Sequence, residues 1–434
     1  MKKSSYYKYL KKNISSKSFN LGVVGLGYVG LPLLLAFAKK SIKIFGIDND
    51  ILKINKLNNG LSYIKNIDKK EIINNKKKIQ FSTKYNLLKK CDVIIFCLPT
   101  PLTKNFEPDM SYVSNSFDQT LKYFKKGALI ILESTTYPGT TEDLFAKKLI
   151  NKFTIGKDIF LGYSPEREDP GNDIFTIEKI TKIVSGYSKT CVDLVDSLYS
   201  LITKTYKVSN LKTAETTKLF ENIFRSVNIG LVNEMKIICD KMNLDVHEII
   251  NAASTKPFGY MEFRPGPGLG GHCIPIDPFL LTWKAKEFGI NTKFIELSGQ
   301  INSEMPRYVC EKIINYFTKI KIKKKPKILI LGLSYKKNTD DIREAPSLKI
   351  IEILNKSNYD IVYYDTYFPK FPKSRNCNFK KKKYDIYKNK MKDIDLVALI
   401  TDHDNFDYNF IFKYAKHIVD TRGKFKKSKK VTIA

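Results

Sequence analysis

Residues 263–278 read Phe-Arg-Pro-Gly-Pro-Gly-Leu-Gly-Gly-His-Cys-Ile-Pro-Ile-Asp-Pro, which sets one cysteine, Cys273, just behind two glycines and four residues ahead of Asp277. A thiolate is a strong nucleophile, glycine lets a bound molecule approach the backbone closely, and a carboxylate one short turn away can position a water or a proton. The combination suits covalent attack on an electrophilic carbon. The plain alternative, a buried cysteine beside a flexible loop, is equally open on Cys273 alone. A second set of chemical residues lies on a helix. Residues 211–242 read as one long helix with Leu219, Ile223, Val227 and Leu231 on an apolar face. Lys218, Asn222 and Arg225 stand at i, i+4 and i+7 and so project to one side. Phe220, Phe224, Ile229 and Val232 make the helix apolar around most of its circumference, which predicts burial between domains or at a dimer interface. A buried lysine and asparagine need partners, and a ligand is a reasonable one.

The elements that must position these residues begin near the N-terminus. A basic start followed by an uncharged run over residues 21–38 imitates an export signal, but Gly25, Gly27, Gly30 and Pro32 make poor company for a lone apolar helix. The better reading is a short buried strand, residues 21–24, then Gly25-Leu26-Gly27-Tyr28-Val29-Gly30 opening a helix, then a strand over residues 42–47 ending in Asp48. Glycines, helix N-terminus and acid in this register hold a dinucleotide, with the pyrophosphate on the helix N-terminus and the acid on the ribose. Asp48 selects NAD over NADP by repelling a 2′-phosphate; Lys53, five residues on, opposes that selection. Further strands over residues 92–98, 128–132 and 159–163 end in Pro99-Thr100-Pro101, in Glu133-Ser134-Thr135-Thr136-Tyr137-Pro138-Gly139, and in Ser164-Pro165-Glu166-Arg167-Glu168-Asp169-Pro170-Gly171. Ligands in such sheets bind beyond the carboxyl ends of the strands. A second strand-turn-helix-strand unit starts at residue 327 and keeps only Gly332 of the glycine fingerprint. Lys336, Arg343 and Asp420-Thr421-Arg422-Gly423 bring cations to its strand ends, as a site for another phosphorylated ligand would require.

The expected fold class is therefore α/β, with two Rossmann-like doubly wound domains joined by a long central helix. The expected boundaries are a basic extension (1–19), an NAD-binding domain (20–210), a central helical dimerisation domain with the cysteine loop (211–320) and a second Rossmann-like domain (321–434). A net charge of +31 raises nucleic-acid or anionic-membrane binding, yet the lysines are spread along the whole chain rather than clustered. Only seven of the 75 Lys+Arg residues are arginine, and Arg167, Arg225, Arg264, Arg343 and Arg422 fall inside the motifs above; arginine's planar fork suits phosphate and carboxylate. The seven cysteines show no CxxC spacing, so neither a disulfide framework nor a metal site is expected, and a reducing cytoplasm is the natural compartment.

With these motifs in this order, the chain from residue 20 onward resembles the UDP-glucose/GDP-mannose dehydrogenases, and within them the bacterial UDP-N-acetylhexosamine 6-dehydrogenases. The matching segments are residues 25–30, 133–139, 163–171, 218–222, 263–278, 332–346 and 420–423. The resemblance implies a four-electron oxidation of a sugar C6 alcohol to a carboxylate with two NAD in succession, for surface polysaccharide. By analogy Cys273 forms a thiohemiacetal and then a thioester, Lys218 and Asn222 stabilise the oxyanion, Asp277 and Thr135 hold a catalytic water, and Glu166 handles a proton. It implies cofactor contacts at Gly25, Gly27, Tyr28, Val29, Gly30, Asp48, Lys53, Thr100, Thr135 and Arg343. Substrate contacts fall to Glu166, Arg167, Lys218, Asn222, Arg225, Arg264, Gly270, Lys336 and Arg422. Arg167 and Pro170 depart from the UDP-glucose pattern, which favours an N-acetylated hexosamine; residues 166–171 look most like the UDP-N-acetylglucosamine branch, with the galactosamine and mannosamine epimers as alternatives. A homodimer is expected, with no nucleic-acid or membrane partner. The extension before residue 20 matches nothing in that family and is expected to be disordered.

Overall fold

Short aliphatic runs become strands here because both of their faces are buried. In Leu129–Leu132 the side chains of Leu129 and Ile131 enter one apolar layer and those of Ile130 and Leu132 the opposite one. The computed structural model describes residues 4–64, 67–103, 105, 107–167, 175–271, 273–322, 324–372 and 379–434. The chain divides into two units, Met1–Glu221 with Trp283–Ile290, and Asn222–Thr282 with Asn291–Ala434.

The first unit holds β1 (Asn20–Val24), β2 (Lys43–Ile47), β3 (Ile79–Ser82), β4 (Val93–Phe96), β5 (Leu129–Leu132), β6 (Phe160–Tyr163), β7 (Lys182–Gly186) and β8 (Thr205–Lys207). Their order is β3-β2-β1-β4-β5-β6-β7-β8, parallel throughout except at β6–β7. The order reverses between β1 and β4, where Leu21 faces Ile44 on one side and Val93 on the other. Such a reversal opens a crevice at the carboxyl ends of the strands.

Residues 4–19 of the N-terminal extension are ordered, contrary to expectation. Ser5–Ser15 is a helix, started by the Ser4 side chain accepting from Tyr7 N–H. Its Tyr7, Leu10 and Ile14 are buried in the same apolar layer as Cys191, Leu194, Val195 and Leu198 of helix Lys189–Tyr199. Tyr7 and Lys11 both bind Asp193 of that helix, the ammonium at 2.6 Å. The low-complexity, lysine-rich look of the segment hides an i, i+3, i+7 apolar face.

In the second unit β9 (Lys327–Leu331), β10 (Asp360–Tyr364), β11 (Lys382–Lys383), β12 (Leu396–Leu399), β13 (Ile418–Asp420) and β14 (Val431–Ile433) are all parallel, in the order β11-β10-β9-β12-β13-β14. Counted from its own first strand, this is the same 3-2-1-4-5-6 order with which the first sheet begins. Helix Lys293–Ile320 sends Val309, Cys310, Ile313 and Phe317 into one apolar layer of this sheet, so the expected central segment shares its core with the C-terminal strands.

The long helix, Leu211–Lys241, runs from the first unit into the second. One of its sides is buried and polar, with Lys218, Asn222, Asn233 and Lys236. The other side carries Phe220, 67% exposed, with Phe224, Leu231 and Ile238 also exposed, spaced four, seven and seven residues apart. Arg225, expected beside Lys218 and Asn222, is exposed instead, at the edge of the buried side.

Candidate active site

The turn after β1 is built for close approach. Gly25 has φ +91°, a conformation a side chain resists, and a Cβ there would lie 2.2 Å from the Cys97 carbonyl oxygen. A Cβ on Gly30 would lie 1.9 Å from the Gly25 oxygen, so helix Gly30–Ala38 starts directly against the turn. Gly27, by contrast, faces open space. Asp48 stands at the end of β2 with Oδ2 accepting Leu26 N–H at 2.9 Å and Oδ1 accepting Asp50 N–H at 2.9 Å. Lys53 Nζ lies 3.3 Å from Asp48 Oδ2, and the Tyr63 hydroxyl donates to the Leu26 carbonyl. Tyr28 is exposed and Val29 half-buried on the open side of the turn. A glycine turn with one open residue, a helix N-terminus and a fastened carboxylate fit the pyrophosphate and ribose of a dinucleotide. Thr100, at the end of β4, donates its hydroxyl to the Thr135 carbonyl at 2.6 Å, which ties two strand-end loops together.

The strand ends of the first unit gather buried charge. Lys218 Nζ is 3.4 Å from Glu166 Oε2, with the two residues 5% and 7% exposed. Arg167 does not offer its guanidinium to open space. It forms a fork on Glu221, Nε to Oε2 at 3.2 Å and NH2 to Oε1 at 2.7 Å, and donates NH1 to the Thr181 carbonyl at 2.5 Å. Residues 168–174, including the departure at Pro170, lie outside the described residues. Glu133, which had no assigned role of its own, is fully enclosed and bonded to Lys182 and Tyr199. Burial pushes its carboxyl up, with Lys182 pulling the other way. Glu215, three residues before Lys218, accepts Gly139 N–H at 2.5 Å, Thr141 N–H at 2.9 Å and the Thr141 hydroxyl at 2.7 Å. Burial raises it to about 7. Lys182, Tyr199, Glu215 and Glu221 were passed over in the sequence; for Glu215 the signal was its spacing, four residues from both Leu211 and Leu219 and so on their side of the helix.

The cysteine loop belongs to the second unit. Half-buried Cys273 precedes helix Asp277–Lys286, and its carbonyl accepts Asp277 N–H at 2.8 Å. The buried Asp277 carboxylate takes a 2.5 Å bond from Asn222 Nδ2, which links a residue expected at the oxyanion to one expected at the water. Gly270 permits the loop to lie on its neighbour: a Cβ there would meet Tyr335 Cβ at 2.4 Å, and Gly271 N–H donates to the Arg343 carbonyl at 2.9 Å. Lys236 is buried, donates to the Gly266 carbonyl at 3.1 Å, and is lowered to about 7 by burial and by Arg422.

The remaining cations are engaged as follows. Arg343 grips Asp341 through Nε at 3.0 Å and NH2 at 2.5 Å. Arg422 donates Nε to the Ile400 carbonyl at 2.8 Å, and a Cβ on Gly266 would come within 3.0 Å of its NH1. Arg264 is exposed and paired with Glu262 at 2.6 Å and Asn251 at 2.5 Å. Lys336 is half-buried at the end of β9. Among the described residues no group of His, Cys, Asp and Glu could hold a metal ion, and no helix is long and apolar enough to cross a membrane.

Comparison with known proteins converges on one family. The UDP-glucose/GDP-mannose dehydrogenase family model matches through its NAD binding domain at residues 19–203, its central domain at 212–304 and its UDP binding domain at 329–427. The UDP-N-acetyl-D-glucosamine 6-dehydrogenase of Pseudomonas aeruginosa is 37% identical over 357 residues, covering 80% of this chain and 83% of that protein. The UDP-N-acetyl-D-mannosamine dehydrogenase of Pyrococcus horikoshii is 34% identical over 416 residues, 93% of this chain and 95% of that one. A solved UDP-D-ManNAc dehydrogenase structure from Pyrococcus horikoshii superposes with a TM-score of 0.85 at 32% identity, over 94% of this chain and 96% of that chain. These matches agree with the glycine turn, the doubled strand order and the cysteine loop: the chain belongs to the UDP-glucose/GDP-mannose dehydrogenase family, and NAD is its cofactor.

Proposed function

We propose that this protein oxidises C6 of UDP-N-acetyl-D-glucosamine to the carboxylate, in two steps, with Cys273 carrying the sugar between them. NAD, when bound, supplies the acceptor for the hydride that leaves C6 in each oxidation. Lys218 and Asn222, one helical turn apart, donate to the substrate O6 as it gains negative charge. Glu166 takes part in moving the O6 proton. The Cys273 sulfur adds to the C6 aldehyde to give a thiohemiacetal, whose loss of a second hydride leaves a thioester. Asp277 and Thr135 hold the water that releases the acid. What supports this reading is the half-buried thiol held one turn ahead of Asp277, whose carboxylate is bonded to Asn222 at 2.5 Å.

The N-acetylated sugar rests on Arg167 and Pro170, and the glucosamine epimer on the likeness of residues 166–171 to that branch and on the relative from Pseudomonas aeruginosa. The mannosamine epimer is the second reading, because the relative from Pyrococcus horikoshii matches over more of the chain. The exposed Phe220, Phe224, Leu231 and Ile238 stripe supports assembly as a homodimer. A reducing, cytoplasmic compartment suits the free thiol. The test is a panel of UDP-sugars with NADH counted per sugar consumed. Two NADH with an N-acetylhexosamine are expected and the preferred epimer is read directly. One NADH with accumulating aldehyde overturns the covalent reading.

A further inference from the structure

The turn bearing Thr135 is clamped at both ends by buried carboxylates. Glu133, at its start, is held by Lys182 and Tyr199 from β7 and helix Lys189–Tyr199. In its middle, Ser134 Oγ accepts Leu98 N–H at 2.8 Å, the Tyr163 hydroxyl donates to the Ser134 carbonyl at 3.1 Å, and Thr100 donates to the Thr135 carbonyl. At its far end all three donors, Gly139 N–H, Thr141 N–H and the Thr141 hydroxyl, converge on one side chain, Glu215. Glu215 differs from the others because it sits on the long helix, three residues before Lys218 and on the same side. It is the one member of this set that ties the Thr135 turn to the helix carrying the expected oxyanion donor. Backbone N–H groups can only donate, so two of its three bonds require an acceptor at that place.

We propose that Glu215 is a positioning residue for thioester hydrolysis, fixing the turn that bears Thr135 against the helix that bears Lys218. The inference rests on the reading of Cys273 as the acyl carrier. In the step concerned the water oxygen bonds to the C6 carbonyl carbon and the bond from C6 to sulfur breaks. The electron pair returns to Cys273, and of the two water protons one ends on the thiol and one in solvent. Hydride transfer needs no such water, so the two oxidations are expected to tolerate a shifted turn better than the hydrolysis does.

The experiment uses the full chain with saturating NAD and UDP-N-acetylhexosamine, comparing Glu215→Gln and Thr141→Val with the unaltered protein. Glutamine keeps the shape but turns an NH2 toward one of the three donors. The Glu215→Gln protein is expected to give a rapid burst of NADH close to the normal rate and then a steady rate lower by about tenfold to a hundredfold. Intact mass should show the sugar acyl group held on Cys273 during that steady phase. Thr141→Val removes one donor and leaves two, and the same signature is expected at about fivefold; it also serves if Glu215→Gln does not fold. Burst and steady rate falling in equal proportion, with no added mass, mean general loosening and overturn the proposal, as does an unchanged steady rate. A Cys273→Ala control separates the two readings. If it still yields two NADH per sugar, the acyl carrier itself fails; if it does not, any failure belongs to Glu215 alone.

Discussion

Replacing Lys218 by methionine removes one charge from a pair whose partners are both buried, Lys218 Nζ standing 3.4 Å from Glu166 Oε2. At that distance and an effective dielectric constant near 20, the Coulomb attraction is about 5 kcal/mol, most of it offset by the desolvation of both groups. The pair is therefore worth little net, but the single change takes a buried ammonium away from the Glu166 carboxylate, at about 3–5 kcal/mol of stability. Adding Glu166→Gln removes the remaining charge and should restore most of that loss. Catalysis should behave differently. Lys218 as an oxyanion donor is worth about 3–4 kcal/mol, so kcat should fall by about 10² to 10³ in Lys218→Met and should not return in the double variant. Urea unfolding of the three proteins, unaltered, single and double variant, with stopped-flow NADH formation on each, measures both quantities. Recovery of activity along with stability in the double variant would make the pair a structural brace only, and normal stability and rate in Lys218→Met would remove it from the site altogether.

Three further outcomes are expected. Asp48→Ala should narrow the preference for NAD over NADP by about tenfold, because the repelling carboxylate is gone while Lys53 remains to attract a 2′-phosphate; equal use of both cofactors by the unaltered protein refutes the assignment. UDP-N-acetylhexosamine should exceed UDP-glucose in kcat/KM, and the reverse order would refute the branch while leaving the family intact. Glu215 titrates at about 7 when folded against 4.5 as its ordinary value, because burial outweighs its three donors and Glu142 adds a like charge, itself paired with Lys212 at 3.0 Å. A raised carboxyl favours the folded state most below its ordinary value, and that contribution is lost as pH rises through about 7, by about 3 kcal/mol in all. Thermal unfolding of Glu215→Gln should lack this component; identical pH slopes in both proteins would show that Glu215 does not titrate there.

Five strands of the first sheet and the unit that starts at residue 327 were legible in the sequence because they are buried on two faces and read as apolar runs, whereas β3, β7, β8 and the strands after β10 went unread. The strand-turn-helix-strand unit expected from residue 327 opens on β9 and closes on β10. The glycine turn was legible for the same kind of local reason, since the steric demands at Gly25 and Gly30 arise within a few residues. Partnerships across long separations were not legible. Nothing local says that Glu215 will meet Gly139 and Thr141, or that Arg167 will spend its fork on Glu221, because those contacts depend on where a helix is laid over strand ends. The N-terminal helix was missed because lysine-rich composition outweighed three apolar residues at helical spacing.

That N-terminal helix has a practical consequence for handling the protein. The family match begins at residue 19, so a recombinant chain trimmed by homology would start just after Ser5–Ser15. Trimming there strips Tyr7, Leu10 and Ile14, side chains worth about 1.5–3 kcal/mol each when buried, from helix Lys189–Tyr199. The newly bared face would be sticky, and the same helix carries Tyr199, which anchors Glu133. A shortened protein should therefore express as aggregate or yield readily to protease near residues 189–199.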